Sequence, residues 1–406
     1  RHISQDPVRR PAQRLTERIT QRLERTPRGG ETRVFQYDDA GRLSRVLYNG
    51  GLAESYRYDP EGRREREING RRGHMERRFF YGPNNRLLMT RSGVTCASYE
   101  HDAAGFRSAR IEMGGYGTNL PERATRYRYA PDGRLLAVSL SDGRIIEYAH
   151  DAHGRRAEKR INGRTVERYE WLDRIRLDRL APDGVRMEFL YSGGRLPDTM
   201  LRDGRTYRLY YDQVGSLRVV ADETGNAVKE MVYDSFGNVL EDANPVLRIP
   251  LGFAGGLYDP DTRLLRFGHR DYDPDTGRFT ALGPLGSAGG DADWYGYCLD
   301  DPVNLVDPEG LMGSFIRRLP QRLAKTIQRS INPMSPERIV NELVDKEIDR
   351  IRKEYGEDNA TVPQLEKLKK HMEEEGLPPG LESIKMLLRQ NKIWPYNDDS
   401  NGTKDQ

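Results

Sequence analysis

The sequence predicts a mainly β protein, a large curved sheet followed by a small α-helical C-terminal region, and three observations carry that expectation. Tyr-Asp-x-x-Gly units, some degraded, recur at intervals of roughly 20 residues or a small multiple of that. The segments between them lack the 3.6-residue periodicity of helices and have the composition of half-exposed strands. Only 36% of the 406 residues are hydrophobic, 32% are charged and the mean hydropathy is −0.83. A thick two-layer core is hard to build from that, whereas a single curved layer with scattered packed aromatics is not.

The units begin with Tyr37-Asp38-Asp39-Ala40-Gly41-Arg42 and Tyr58-Asp59-Pro60-Glu61-Gly62-Arg63. They continue with His101-Asp102-Ala103-Ala104-Gly105, Tyr129-Ala130-Pro131-Asp132-Gly133-Arg134 and His150-Asp151-Ala152-His153-Gly154-Arg155. Tyr211-Asp212-Gln213-Val214-Gly215 and Tyr233-Asp234-Ser235-Phe236-Gly237 close the series. Each encodes a hairpin turn: Asp caps it with its carboxylate, Pro presets φ, and Gly supplies the left-handed residue that re-enters the ladder. Tyr and Arg recur on the intervening strands, for example in 126–129 and 205–210, and are read as cross-strand packing on an exposed sheet.

Charge and cysteine content narrow the function. The 66 Lys and Arg against 63 Asp and Glu leave +3, near cancellation, which argues against nucleic-acid binding by the whole chain. Cys96 and Cys298, far apart and without companions at metal spacing, are read as free thiols, and no metal or cofactor site is expected. No apolar run approaches the length of a transmembrane helix. The chain starts at Arg1 with no charged-then-apolar leader, which points to a piece or a processed product of a longer protein.

After Leu311 the composition changes. Ser335-Pro336-Glu337 reads as a capped helix start and Gly356 as a stop, with Ile339, Val340, Leu343, Val344, Ile348 and Ile351 on one apolar face. Upstream, Phe315, Leu319, Leu323, Ile327 and Ile331 repeat every fourth residue among arginines and lysines, interrupted by Pro320. Packing of such a stripe against the rest of the protein is one reading, and membrane or nucleic-acid contact is another. His371 is the single histidine after Leu311 and no cysteine follows it, so metal-nuclease and Cys/His nucleophile chemistries lack their residues there.

The run from Tyr211 to Gly237, the segment Arg270-Asp271-Tyr272-Asp273-Pro274-Asp275-Thr276-Gly277-Arg278-Phe279, and the stretch from Gly289 to Leu311 resemble the Rhs-associated core. The chain therefore resembles the C-terminal part of an Rhs (YD-repeat) polymorphic toxin. The resemblance implies a YD-repeat β-shell segment over 1–207, an incomplete cocoon in this chain, then the Rhs-associated core over 208–311. A helical variable region in the toxin position would occupy 312–406. Such proteins enclose and deliver a C-terminal effector, so a secreted or delivered protein is expected. Its partners would be a cognate immunity protein, a secretion apparatus reached through an upstream region, and a component of the target cell.

Relatives of this kind cleave themselves after Asp-Pro-x-Gly-Leu, here Asp307 to Leu311, which places the scissile bond between Leu311 and Met312. The aspartyl-protease-like chemistry implied needs two carboxylates, one ionised to activate water and one protonated to donate. Asp307 maps onto one of them. The expected partner position is Gly283, which has nothing to titrate. Cleavage is then slow or lost, or Asp291, Asp293 or Asp301 substitutes. Asp307 could instead only cap the turn before Gly310. The alternative to a delivered toxin is a structural or adhesive YD-repeat protein with a non-toxic helical cap.

Overall fold

A computed structural model describes residues 21–26, 29–113, 122–283 and 293–311. The expected helices of 312–406, Met312 and Asp291 lie outside the described residues. Within them the chain forms a 21-stranded meander from Gln21–Thr26 to Val239–Asp242, every strand antiparallel to the next. A second, four-stranded antiparallel sheet follows, made of Leu257–Asp259, Leu264–Phe267, Arg270–Asp273 and Arg278–Phe279. Residues 208–242 carry the last strands of the large sheet, and the described residues among 243–311, which hold the small sheet, are called the plug.

Two kinds of turn alternate along much of the meander. The Asp-x-x-Gly turns work as their sequence dictates. The Asp38 carboxylate accepts the Arg42 N–H at 2.8 Å, and the same bond recurs from Arg63 to Asp59, Arg155 to Asp151 and Ser216 to Asp212. The ladder slips by one residue beside these turns, the bulge that a left-handed Gly introduces. Several opposite ends close on Asn-Gly or Asp-Gly pairs with both φ positive, at Asn49-Gly50, Asn162-Gly163 and Asp203-Gly204. That geometry matches the twist of a tight hairpin.

Twenty-one strands at about 4.8 Å spacing would make a flat sheet about 95 Å wide. A plug of this length is about 30 Å across. Yet the plug touches the strands carrying Tyr37, Arg77, Arg107 and Lys159 and the turn carrying Gln213. Only a sheet wound around the plug can do this, so the shell is strongly curved. It is also open. Gln21–Thr26 and Val239–Asp242 each pair on one side only among the described residues. Side chains draw the ends together instead: Arg33 donates to the Tyr233 carbonyl at 3.1 Å, the Ser235 N–H to Glu54 at 3.2 Å, and Arg71 lies 3.5 Å from Glu241.

The aromatic residues of the plug pack together and against the last shell strands. Tyr272 and Tyr297 are fully buried with ring centroids 4.6 Å apart, among Phe253, Phe267 and Phe279. Gly237 shows how tightly the shell closes on the plug. Its φ is +92°, and a Cβ there would sit 2.4 Å from the Phe253 ring. Gly237→Ala is expected to destabilise by about 3 kcal/mol, combining backbone strain with overpacking. Gly225→Ala, at φ +87° with no heavy atom within 4 Å of the new Cβ, isolates the strain and should cost about 1 kcal/mol. Urea unfolding of the two variants measures both, and equal losses would count against the close packing at Phe253.

Candidate functional site

The contact between shell and plug is built from a residue pattern with a period of two turns. The first inward position after successive turns is Leu43, Arg64, Leu87, Arg107, Leu135, Arg156 and Leu177, all buried. Eight residues before each stands an aromatic, and where the inward residue is Arg it is Tyr. Arg64 stacks on Tyr56 at 4.9 Å, Arg107 on Tyr99 at 4.8 Å and Arg156 on Tyr148 at 3.7 Å. Arginine suits this place because its planar guanidinium covers a ring face while its edge stays free to donate.

The plug supplies the acceptors. Arg107 donates to Asp273 at 2.5 Å and Arg156 to Asp271 at 3.1 Å, while Lys159 reaches Asp259 at 2.7 Å and Asp261 at 2.6 Å. Asp275 receives Arg72, Arg77 and Arg110. Arg126, Arg128, Arg205 and Arg208, on the segments read from the sequence as an exposed sheet, are exposed. Arg77, Arg107, Arg156 and Lys159 are instead buried, because the plug's Asp-rich signature lies against their face of the shell.

Asp307 sits in the same kind of turn as the repeats, and is buried. One of its carboxylate oxygens accepts the Leu311 N–H at 3.2 Å, and Gly310 N–H donates to the Asp307 carbonyl at 3.2 Å. The other oxygen faces Arg270 Nη2 at 3.2 Å. Arg270 reaches three further places. Its Nε donates to the Gly310 carbonyl at 2.5 Å, its Nη1 to the Trp294 carbonyl at 3.3 Å, and its guanidinium lies 3.5 Å from the centroid of the Phe279 ring. Gly283 lies on the other side of that guanidinium. Its N–H donates to the Trp294 carbonyl at 2.8 Å, and a Cβ built on it would be 3.3 Å from Arg270 Nη1. The position from which the resemblance expects a second carboxylate thus shares Arg270 with Asp307.

The other acids are placed differently. Asp293 pairs with Arg278 through both oxygens, one at 2.7 Å, and caps the Tyr295 N–H at 3.1 Å. Asp301 is buried, takes a bond from Asn304 at 2.8 Å, and closes the turn that begins at Cys298. Burial raises the Cys298 thiol well above its ordinary pKa, and the nearby charges of Asp307 and then Asp301 add to it. Both acids therefore act electrostatically on one buried thiol. Arg270 is the residue the sequence analysis passed over. Its signal was available as the first residue of the Arg-Asp-Tyr-Asp-Pro run, but only folding shows that it clamps the Gly310 carbonyl. No group of three metal-ligating side chains occurs among the described residues, and none of their helices is long and apolar enough to cross a membrane.

Comparison with known proteins agrees with this architecture. The family model described as Teneurin YD-shell matches residues 11–283. Teneurin-3 of Danio rerio is 29% identical over 253 residues, covering 61% of this chain and 9% of the relative. The double-stranded DNA deaminase toxin A of Burkholderia cenocepacia (strain H111) is 30% identical over 324 residues, covering 70% of this chain and 21% of the toxin. Among solved structures, a TcdB2-TccC3-Cdc42 structure aligns over 69% of this chain and 18% of that one, at 16% identity and a TM-score of 0.39. The chain thus spans a small fraction of the length of each. With the repeats folded as one continuous wound meander and the family match spanning residues 11–283, the chain belongs to the YD-shell family of Rhs and teneurin-type proteins.

Proposed function

We propose that this protein is the shell and plug of a delivered polymorphic toxin, with residues 312–406 as the effector it carries. The observation that bears most weight is the wound sheet around a plug whose last described turn, Asp307 to Leu311, is held by Arg270 immediately before the variable segment. A toxin among the relatives supports the same reading. A cognate immunity protein and a secretion apparatus are its expected partners, and delivery outside the producing cell its expected fate. Expression of residues 312–406 in bacteria, beside the full chain and a chain stopped at Leu311, tests this. Growth arrest by the first alone supports an enclosed effector, while indifference to all three supports a structural YD-repeat protein with a passive cap.

The release step is proposed to be impaired in this chain. Hydrolysis at Leu311 needs one carboxylate to activate water and a second to protonate the departing amine. Asp307 supplies one. At Gly283 the face toward Arg270 carries only hydrogen, so the effector stays attached or leaves slowly.

A further inference from the structure

A second feature of the plug lies beside the cleavage turn, whose Pro308 forms part of its wall, and does not depend on cleavage or on the cargo. Between the shell strands Arg156–Ile161 and Leu177–Pro182 and the plug lies a cavity of about 50 Å³, lined among others by Arg156, Arg174, Arg195, Arg266, His269 and Pro308. That is several times the space one water needs. No acidic side chain lines it. Asp271 serves Arg156 at 3.1 Å and Arg266 at 2.7 Å together, Glu309 pairs with Arg174 at 3.3 Å, and Arg195 meets only the carbonyls of Ala254 and Val214. Five arginines, Arg155 among them, therefore line a cavity with no acidic side chain in its wall, and one carboxylate, Asp271, is shared by two of them.

Arg156 is 2% exposed and Arg266 5%. Arg156 Nε and Nη1 and Arg266 Nε and Nη2 find no acceptor in the protein. The surroundings carry the mark of that excess positive charge. Burial, then Arg174 and Arg266, push His269 down to about 3, and burial, then Arg266 and Arg156, do the same to His150. Both imidazoles are neutral at pH 7, so neither adds to the charge nor competes for an anion.

We infer that this cavity binds a tetrahedral oxyanion, inorganic phosphate or the phosphate group of a small metabolite, between the Arg156 and Arg266 guanidiniums. Each guanidinium gives one nitrogen to Asp271 and keeps two without an acceptor in the protein, and a tetrahedral oxyanion carries acceptors enough to engage both arginines. Since one arginine belongs to the shell and the other to the plug, the anion fastens the two together. Stability should rise with its concentration by mass action.

The test uses the full 406-residue chain, melted and titrated calorimetrically with inorganic phosphate at constant ionic strength against chloride. The expected result is saturable one-site binding with a rise in melting temperature, and at least a tenfold weaker affinity in Arg266→Met. Circular dichroism confirms that this variant keeps its sheet. Should Arg266→Met fail to fold, Arg174→Gln at the same cavity is expected to weaken binding in the same direction. Adenosine monophosphate distinguishes the sources: binding of inorganic phosphate alone assigns the free ion, and equal or tighter binding of the nucleotide assigns a metabolite phosphate. Absence of saturable phosphate binding by the wild type, or unchanged affinity in the folded arginine variants, overturns the inference and leaves the cavity to water.

Discussion

Asp275→Asn is expected to destabilise the protein by about 2–3 kcal/mol, somewhat below the loss usual when one side of a fully buried ion pair is removed, because the Asp275 side chain is 19% exposed. The carboxylate accepts Arg77 at 2.8 and 3.0 Å and lies 3.2 Å from Arg110, with Arg72 close as well. Asparagine keeps the shape and one acceptor but leaves three guanidiniums facing one another between the shell and the plug. Arg72, Arg77 and Arg110 all lie on or beside early shell strands, so the wall rather than the plug should loosen first. Hydrogen exchange along 74–113 should reveal it.

The same site predicts a pH dependence. Burial pushes the Asp275 carboxyl up, but Arg77, Arg110 and Arg72 together outweigh it and hold the group well below the ordinary carboxylate range. A folded value below the unfolded one means that the unfolded chain takes up protons first as pH falls. The contribution of Asp275 is therefore complete at neutral pH and is lost progressively below pH of about 4. Asp275→Asn removes it at every pH, so the stability difference between wild type and variant should shrink on acidification. A difference that stays constant from pH 7 to pH 3 would show that the carboxylate is not stabilised by its cations.

Much of the shell was legible in the sequence, because its signals are local. An Asp three residues before a Gly dictates a turn whatever surrounds it, and the repetition of such turns leaves only extended chain between them. That sufficed for a mainly β, curved and open sheet. The burial of Arg64, Arg107 and Arg156 was not legible, since an Arg on a strand is ordinarily exposed. What buries these three is the plug, whose Asp271, Asp273 and Asp300 lie more than a hundred residues downstream. The alternation of Leu43, Arg64, Leu87 and Arg107 was nonetheless present in the sequence at a fixed offset from each turn, and reading every second unit would have revealed it.

The cleavage turn shows the same division. Asp307 and the departure at Gly283 are visible as residues in a motif, and so is Arg270. That one guanidinium reaches the Asp307 carboxylate, the Gly310 carbonyl and the backbone beside Gly283 is a property of the folded plug. Asp293, an equal candidate by sequence, is held by Arg278. Asp301 lies in the turn beginning at Cys298, whose thiol also feels Asp307.

Gly283→Asp is expected to speed cleavage after Leu311 by at least about tenfold, the lower range of a general acid–base contribution. Gly283 does not occupy the left-handed region, so the backbone itself is unstrained by the change, but the new Cβ would press on Arg270 Nη1 and the Trp294 carbonyl, both 3.3 Å away, and these must give by a few tenths of an ångström. The new carboxylate would share Arg270 with Asp307. Two like charges on one cation push the pKa of one member up, leaving one acid ionised to activate water and the other protonated for the Met312 nitrogen. Water then adds to the Leu311 carbonyl, the peptide bond breaks, and the product begins at Met312. Asp307→Asn in the same background should abolish the reaction, since its amide can neither take nor give the proton. Mass spectrometry of wild type, Gly283→Asp and the double variant reads all three outcomes. Rapid cleavage of the wild type would mean that another acid already serves, and Asp301→Asn is then the variant expected to stop it. An intact Gly283→Asp protein, folded by circular dichroism, would sink the carboxylate-pair account of this turn.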